Sequence, residues 1–169
     1  MTTLIKPTDN TLIKVNIAKQ QLQLWQADEC VFETLVATAA NGSGEQFGSE
    51  CTPRGQHVIR AKIGADCEEN TVFVGRRPTG EIYSPDLRIE HPDRDWILTR
   101  ILWLSGTEPG LNRLGNVDTM RRYIYIHGCP DEDVMGAPGS HGCIKMRNVD
   151  VIRLFDLVRV GTKVIVTEE

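Results

Sequence analysis

Residues 12–26, LIKVNIAKQQLQLWQ, alternate apolar and polar side chains with a period of two on either side of a three-residue AKQ linker. That period turns one face toward a core and the other toward water, as in a half-buried strand. Two such runs joined by so short a linker predict a hairpin, with strands over Leu12–Ile17 and Gln21–Gln26. A third β-like run covers Cys30–Thr38. A Gly- and Ser-rich loop, NGSGEQFGSE, follows it, and His57–Ile63 and Thr71–Val74 read as further strands. The first half of the chain is therefore expected to be β.

The middle reads differently. RRPTGEIYSPDLRIEHPDRDWILTR, residues 76–100, is polar and turn-rich, and ILWLSGTEPGLNRLG after it starts apolar and ends in Gly and Pro. Together they read as a long insertion that either shapes a site or forms a peripheral excursion packed by Trp96, Trp103 and Leu104. Order returns with a strand at Tyr123–His127 and a helix over Asn148–Val158. Asn148 is the expected cap and Asp150 favours the first turn. Val151, Ile152, Phe155 and Val158 form its apolar stripe. Gly161 is placed to end the helix, and Lys163–Thr167 is the last strand. With 169 residues, 40% of them hydrophobic, and no internal repeat, the whole chain is expected to be one mainly β domain.

Charge narrows the partners. The net charge of −4 comes without any basic run, which argues against nucleic acid. No apolar run reaches the length of a membrane span. The first twenty residues lack the basic start, apolar stretch and small-residue cleavage site of a secretory leader, so the expected location is the cytoplasm, or the periplasm if a leader has been trimmed away. Five cysteines at irregular spacings do not suggest a disulfide framework. Cys30, beside Val31 and Phe32, reads as a small core residue, and Cys51 and Cys67 as inert loop thiols.

The chemistry concentrates in IHGCPDEDVMGAPGSHGC, residues 126–143, where His-Gly-Cys occurs twice. His127, Cys129, His141 and Cys143 are the right ligand types for zinc, but one-residue spacers are shorter than structural zinc pairs use. Cys129 and Cys143 do not form a C-x-x-C redox motif. The third reading is a nucleophile and its base. Cys143 follows Ser140, His141 and Gly142 on a Gly/Pro loop ahead of the predicted helix, whose N–H groups and dipole would lower a thiol pKa and hold an oxyanion. His127, ending a strand, would face it as base. The local pattern favours this third reading.

IHG followed by SHGCIKM resembles the active-site signature of the L,D-transpeptidase catalytic-domain family, also called YkuD-like. The early hairpin and TPRGQHVIRAKIG resemble its N-terminal half, so the likeness spans roughly residues 12–167. It implies a β-sandwich or barrel-like fold with a short helix after the cysteine loop. It implies Cys143 as nucleophile, His127 as base and the Gly128 carbonyl as the group that orients His127. The N–H groups of His141, Gly142 and Cys143 would form the oxyanion hole, with Ser140 and Lys145 contributing to substrate binding. The implied substrate is a muropeptide or peptidoglycan stem tetrapeptide, cleaved between meso-diaminopimelate and D-Ala, with neither metal nor organic cofactor. Lys145 stands where the family usually has Arg, and Cys129 where Thr or Ser is expected. The middle insertion resembles a compact, leaderless subgroup associated with L,D-carboxypeptidase activity. L,D-transpeptidation and an idle peptidoglycan-binding domain are the alternatives.

Overall fold

The computed structural model of the protein describes residues 10–169. The expectation about a leader rests partly on residues 1–9, which lie outside the described residues. Strands β1 (Thr11–Asn16) and β2 (Gln21–Gln26) form the expected hairpin, with Ile13, Val15, Leu22 and Leu24 buried on one face. Strand β3 (Glu29–Leu35) pairs with β2 and ends three residues before the expected limit. Cys30 on β3 is only half-buried, its thiol directed at the Phe32 carbonyl. Strand β4 (Gly55–Ile63) follows the glycine-rich loop, and β5 (Thr71–Val74) and β6 (Arg77–Ile82) form a second hairpin.

The apolar stretch ending the expected insertion is instead the longest strand, β7 (Ile97–Gly106). One edge of β7 takes β4 and then β5. Its other edge takes β8 (Tyr125–Gly128), so Leu102 lies between Lys62 and Ile126 and Leu98 between Val72 and Gly128. Leu98–Leu102 are buried without a break, which removes the period-two pattern, and the buried Thr99 and Arg100 interrupt the apolar run. The sequence 97–106 therefore looked like neither kind of strand. The excursion proper is shorter: β6, a one-turn helix α1 (Pro85–Glu90) capped by Ser84, and the segment to Trp96. It carries its own small core of Val72, Tyr83, Trp96 and Leu98, in which the Tyr83 and Trp96 rings meet edge-on at 5.1 Å.

After β8 come the short strand β9 (Ile144–Met146), parallel to β8, then helix α2 (Asn148–Leu157) and β10 (Lys163–Thr167). Strand β10 slots between β1 and β4, giving the order β3-β2-β1-β10-β4-β7, with β8 and β9 continuing beyond β7. Past the end of β3, Ala37 exchanges two backbone hydrogen bonds with Lys145 of β9, each 2.9 Å. The two ends of the sheet thus meet, and the sheet is rolled like a barrel. Inside the roll, Val151, Leu154, Phe155 and Val158 of α2 join Ile13, Leu24, Leu102, Ile126 and Ile144 in the main core. Each fully buried side chain of this kind is worth about 1.5–3 kcal/mol of transfer free energy.

The cap expected at Asn148 is absent. Arg147 is the cap residue and makes no side-chain capping bond, whereas Asn148 is buried and bonds sideways to Thr99 and Asn70. Gly161, at φ 92°, lies in the turn between α2 and β10 rather than at the helix end. No helix among the described residues is long and apolar enough to cross a membrane.

His57 on β4 is buried, with Nδ1 3.0 Å from the Gly55 carbonyl and Nε2 3.0 Å from Thr119 Oγ1. A carbonyl only accepts, so Nδ1 carries the proton and Nε2 takes one from the Thr119 hydroxyl. Burial pushes its pKa down from 6.5 to about 4. Between those values the unfolded chain binds a proton that the folded chain refuses, so stability falls as pH falls, by up to about 3 kcal/mol below pH 4. Urea unfolding at pH 7 and pH 4 is expected to show that loss in the wild type, and His57→Gln is expected to lose less over the same interval. An equal loss in the two proteins would contradict the assignment.

Candidate active site

Strands β8 and β9 run side by side in parallel, with Ile126 opposite Ile144 and His127 opposite Lys145. Continued by one position, this register sets Tyr125 opposite Cys143, and the Tyr125 N–H reaches Cys143 Sγ at 3.3 Å. The thiol in turn points at the Tyr123 carbonyl, 3.5 Å away. Side chains two apart along a strand share a face, so Cys143 and His127 come to one side of the pair. Both line a cavity of about 480 Å³, together with Arg76, Asp95, Arg122, Tyr123, Ser140 and His141 among others.

The cysteine loop is pinned from outside. Ser140 N–H donates to the Thr38 carbonyl and Ala40 N–H to the Ser140 carbonyl, each at 2.9 Å. Thr52, the first residue of the TPRG element, is fully buried; its hydroxyl donates to the Gly142 carbonyl at 2.9 Å and accepts from Ala39 N–H at 2.9 Å. Ser140 Oγ donates to the Cys143 carbonyl at 2.5 Å and accepts from the Gly142 N–H at 3.2 Å. That bond occupies one of the three N–H groups expected to form an oxyanion hole. The N–H groups of His141 and Cys143 carry no such bond among the described residues.

Electrostatics differ from the expectation of a helix-activated thiolate. Cys143 does not enter α2; β9 separates them. Burial pushes its thiol up to about 12, opposed by the Tyr125 N–H and by the positive charges of Arg122 and Lys145. Burial also pushes the His127 imidazole down, against the pull of Asp95 and of the Gly128 carbonyl. Both shifts favour the uncharged forms, a thiol and a neutral imidazole. His127 Nδ1 lies 2.6 Å from the Gly128 carbonyl. That acceptor requires the proton on Nδ1 and leaves the Nε2 lone pair to take another.

The other expected residues are placed as follows. Cys129 is fully buried, donates to the Met146 carbonyl at 3.2 Å, and is pushed up to about 12 by burial. Lys145 forms a 2.8 Å ion pair with Asp133, which Arg88 also holds at 2.8 Å. It borders an adjoining cavity of about 400 Å³ that shares Asp95 and His141 with the first. No group of three or more His, Cys, Asp or Glu among the described residues could hold a metal ion, so the two His-Gly-Cys triplets do not converge as ligands.

Three cavity residues were not singled out from the sequence. Arg76 donates to the Tyr125 hydroxyl at 2.9 Å and stacks 4.3 Å from the Trp103 ring centre. Arg122 is half-buried, tying the Gly44, Glu45 and Cys51 carbonyls to the site. Neither arginine makes an ion pair with a carboxylate among the described residues, and burial lowers the Arg122 pKa. Asp95 is exposed at the boundary of the two cavities. The only sequence signal for the three was their charge.

The profile of the L,D-transpeptidase catalytic domain, YkuD, matches residues 10–166. The chain belongs to that family. A 48-residue stretch is 43% identical to YqjB of Bacillus subtilis (strain 168), covering 28% of this chain and 27% of that protein. Among solved structures, an L,D-transpeptidase from Mycobacterium smegmatis superposes with a TM-score of 0.54 at 19% identity, over 94% of this chain and 58% of that one. L,D-transpeptidase 3 from Mycobacterium tuberculosis gives 0.59 at 15% identity, over 94% and 61%. The chain thus spans about half to three fifths of the solved family members it superposes on. At these identities the likeness is one of fold, and the rolled sheet with its short helix is the fold of L,D-transpeptidases.

Gly142 sits at φ 131°, and a Cβ there would lie 3.1 Å from Ile124 Cδ1 and 3.3 Å from the Cys51 carbonyl oxygen. Gly142→Ala is expected to cost about 1–3 kcal/mol by urea unfolding and to slow iodoacetamide labelling of Cys143. Wild-type values in both measurements would show that the loop tolerates a side chain.

Proposed function

We propose that the protein is a cysteine acyl-transfer enzyme acting on peptidoglycan stem tetrapeptides, with water as the usual acceptor: an L,D-carboxypeptidase. The observation that carries this reading is Cys143 and His127 lining one cavity, with the His127 proton held on Nδ1 by the Gly128 carbonyl. A neutral thiol is a weak nucleophile, and a base with a free Nε2 lone pair removes its proton as attack begins.

In the proposed reaction Cys143 Sγ attacks the carbonyl carbon of the diaminopimelate L-centre while its proton passes to His127 Nε2. The oxyanion is held by the N–H groups of His141 and Cys143. The intermediate collapses, the C–N bond breaks, and His127 returns the proton to the departing D-Ala amine. Water, deprotonated by His127, then hydrolyses the thioester and frees Cys143. A diaminopimelate tetrapeptide carries carboxylates and an ammonium on one small ligand. Arg76 and Arg122, without carboxylate partners, suit the former, and Asp95 suits the latter. Lys145, already paired with Asp133, acts in this reading through the adjoining cavity.

Transpeptidation is the second reading, favoured by that adjoining cavity, which has room for an acceptor strand where it meets the first at Asp95 and His141. Against it, the Arg88, Arg94 and Lys145 charges there are paired with Asp133 and Glu81, leaving few groups to grip a second peptide. Incubation with a diaminopimelate tetrapeptide is expected to give tripeptide and free D-Ala by mass analysis. Cys143→Ala is expected to abolish turnover, and Cys129→Ser to keep most of it. Abundant diaminopimelate–diaminopimelate dimers would favour the second reading. Tight binding without turnover would make the domain a peptidoglycan-binding module.

A further inference from the structure

Next to His127, around Gly128, lies a cluster of buried polar groups that do not line the cavity and that the proposed chemistry leaves unused. Strand β7 bulges opposite β8, and the register slips between Leu98 and Ile101, where Gly128 and His127 are the partners. The bulge holds Thr99 at φ 74°. Positive φ is a strained conformation for a β-branched residue and persists only where surrounding contacts enforce it. The contacts are specific. Thr99 Oγ1 donates to Asn148 Oδ1 at 2.7 Å and accepts from Asn70 N–H at 3.0 Å. Asn148 Nδ2 donates to Asn70 Oδ1 at 3.0 Å. Thr99 and Asn148 are fully buried, so each bond is made in place of one to water.

This cluster presses on one backbone position. A Cβ at Gly128 would lie 2.4 Å from Asn148 Oδ1, 2.6 Å from the Leu98 carbonyl oxygen and 3.1 Å from Thr99 Cβ. No side chain fits, and the Gly128 peptide is clamped between β7 and the first residue of α2. The carbonyl of that same Gly128 takes the Nδ1 proton of His127.

We infer that Thr99 and Asn148 are positioning residues, which fix the tautomer and orientation of His127 by clamping the Gly128 peptide whose carbonyl it bonds. Neither touches the reacting atoms. A displaced Gly128 carbonyl would free the imidazole to move its proton to Nε2 and lose its lone pair toward Cys143. The carbonyl also favours protonated His127, so loosening it makes the imidazole a weaker proton acceptor. Less thiol is then converted to thiolate by transfer within the pair. The inference rests on His127 serving as the base for Cys143, and the experiment separates the two claims.

The test uses the full chain and two readouts. Ring ¹⁵N shifts of His127 report the tautomer. The rate of iodoacetamide alkylation at Cys143, followed by peptide mass across pH, reports proton transfer within the pair. Thr99→Val keeps the shape and removes the hydroxyl. It is expected to give a mixed or Nε2–H tautomer, to lower the alkylation plateau about ten-fold for each pKa unit the imidazole loses, and to move the acid limb to lower pH. Thr99→Ser restores the hydroxyl and is expected to stay within about two-fold of wild type. If Thr99→Val does not fold, Asn70→Gly serves. Glycine accepts the φ of 70° at that position, and the loss of Oδ1 frees the Asn148 amide, so the same shifts are expected at smaller size. A variant with lowered Tm but unchanged tautomer, plateau and acid limb would reduce the cluster to a brace for the bulge and overturn the inference. If His127→Gln leaves alkylation unchanged, the base assignment falls, and the wild-type and Thr99→Val ring shifts still decide the positioning claim.

Discussion

The two backbone hydrogen bonds between Ala37 and Lys145 join the beginning of the sheet to its end. Without them the chain beyond β3 and strand β9 would not be joined, and the roll would have a seam there. They also set where the chemistry lies. Ala37 leads directly into Thr38 and Ala40, which hold Ser140, and Lys145 stands two residues past Cys143. The closure of the fold and the fixing of the cysteine loop are one piece of backbone. Thr52 adds the second anchor, reading the Gly142 carbonyl from a different segment.

Around that loop, burial favours the uncharged forms of Cys143 and His127. Desolvation raises the Cys143 pKa and lowers that of His127, and the nearby charges act in opposite directions, Asp95 against Lys145 and, at Cys143, Arg122. A pre-formed thiolate would be open to any electrophile small enough to enter. A neutral pair becomes nucleophilic chiefly when a carbonyl is presented in the geometry that lets proton transfer and attack proceed together. Arg122, half-buried and without an ion-pair partner among the described residues, favours negative charge as it develops nearby.

Much of this was legible in the sequence where one rule governed a segment alone. The hairpin of β1 and β2 obeys a period of two because only one of its faces is buried. The apolar stripe of α2 obeys a helical period for the same reason, although Leu154 packs into the core where Ile152 was expected to. SHGC with its upstream histidine marked the two residues that share the cavity. The rest failed where two constraints compete. Strand β7 is covered on both faces and bulged at Thr99, so neither alternation nor a continuous apolar run survives. Asn148 carries the residue type of a helix cap, yet its side chain is drawn to Thr99. The thiol was expected to benefit from a helix terminus, and three residues of β9 intervene. Asp95 and Arg76 come from an excursion whose path no local pattern encodes, and they reach the cavity through the packing of Trp96, Tyr83 and Trp103.

That excursion has a core of its own. Tyr83, Trp96 and Val72 pack on one another and on Leu98 of β7, and the Tyr83 hydroxyl reaches Glu132. The wall carrying Gly75, Arg76 and Asp95 thus rests on a core distinct from that of the roll, to which it is tied by polar contacts such as Arg76 to the Tyr125 hydroxyl and Arg88 to Asp133. A family built this way can exchange one wall of its cleft for another of different charge or depth while the cysteine loop and the histidine strand keep their footing. Substrate preference and catalytic geometry become separately heritable traits on one small fold.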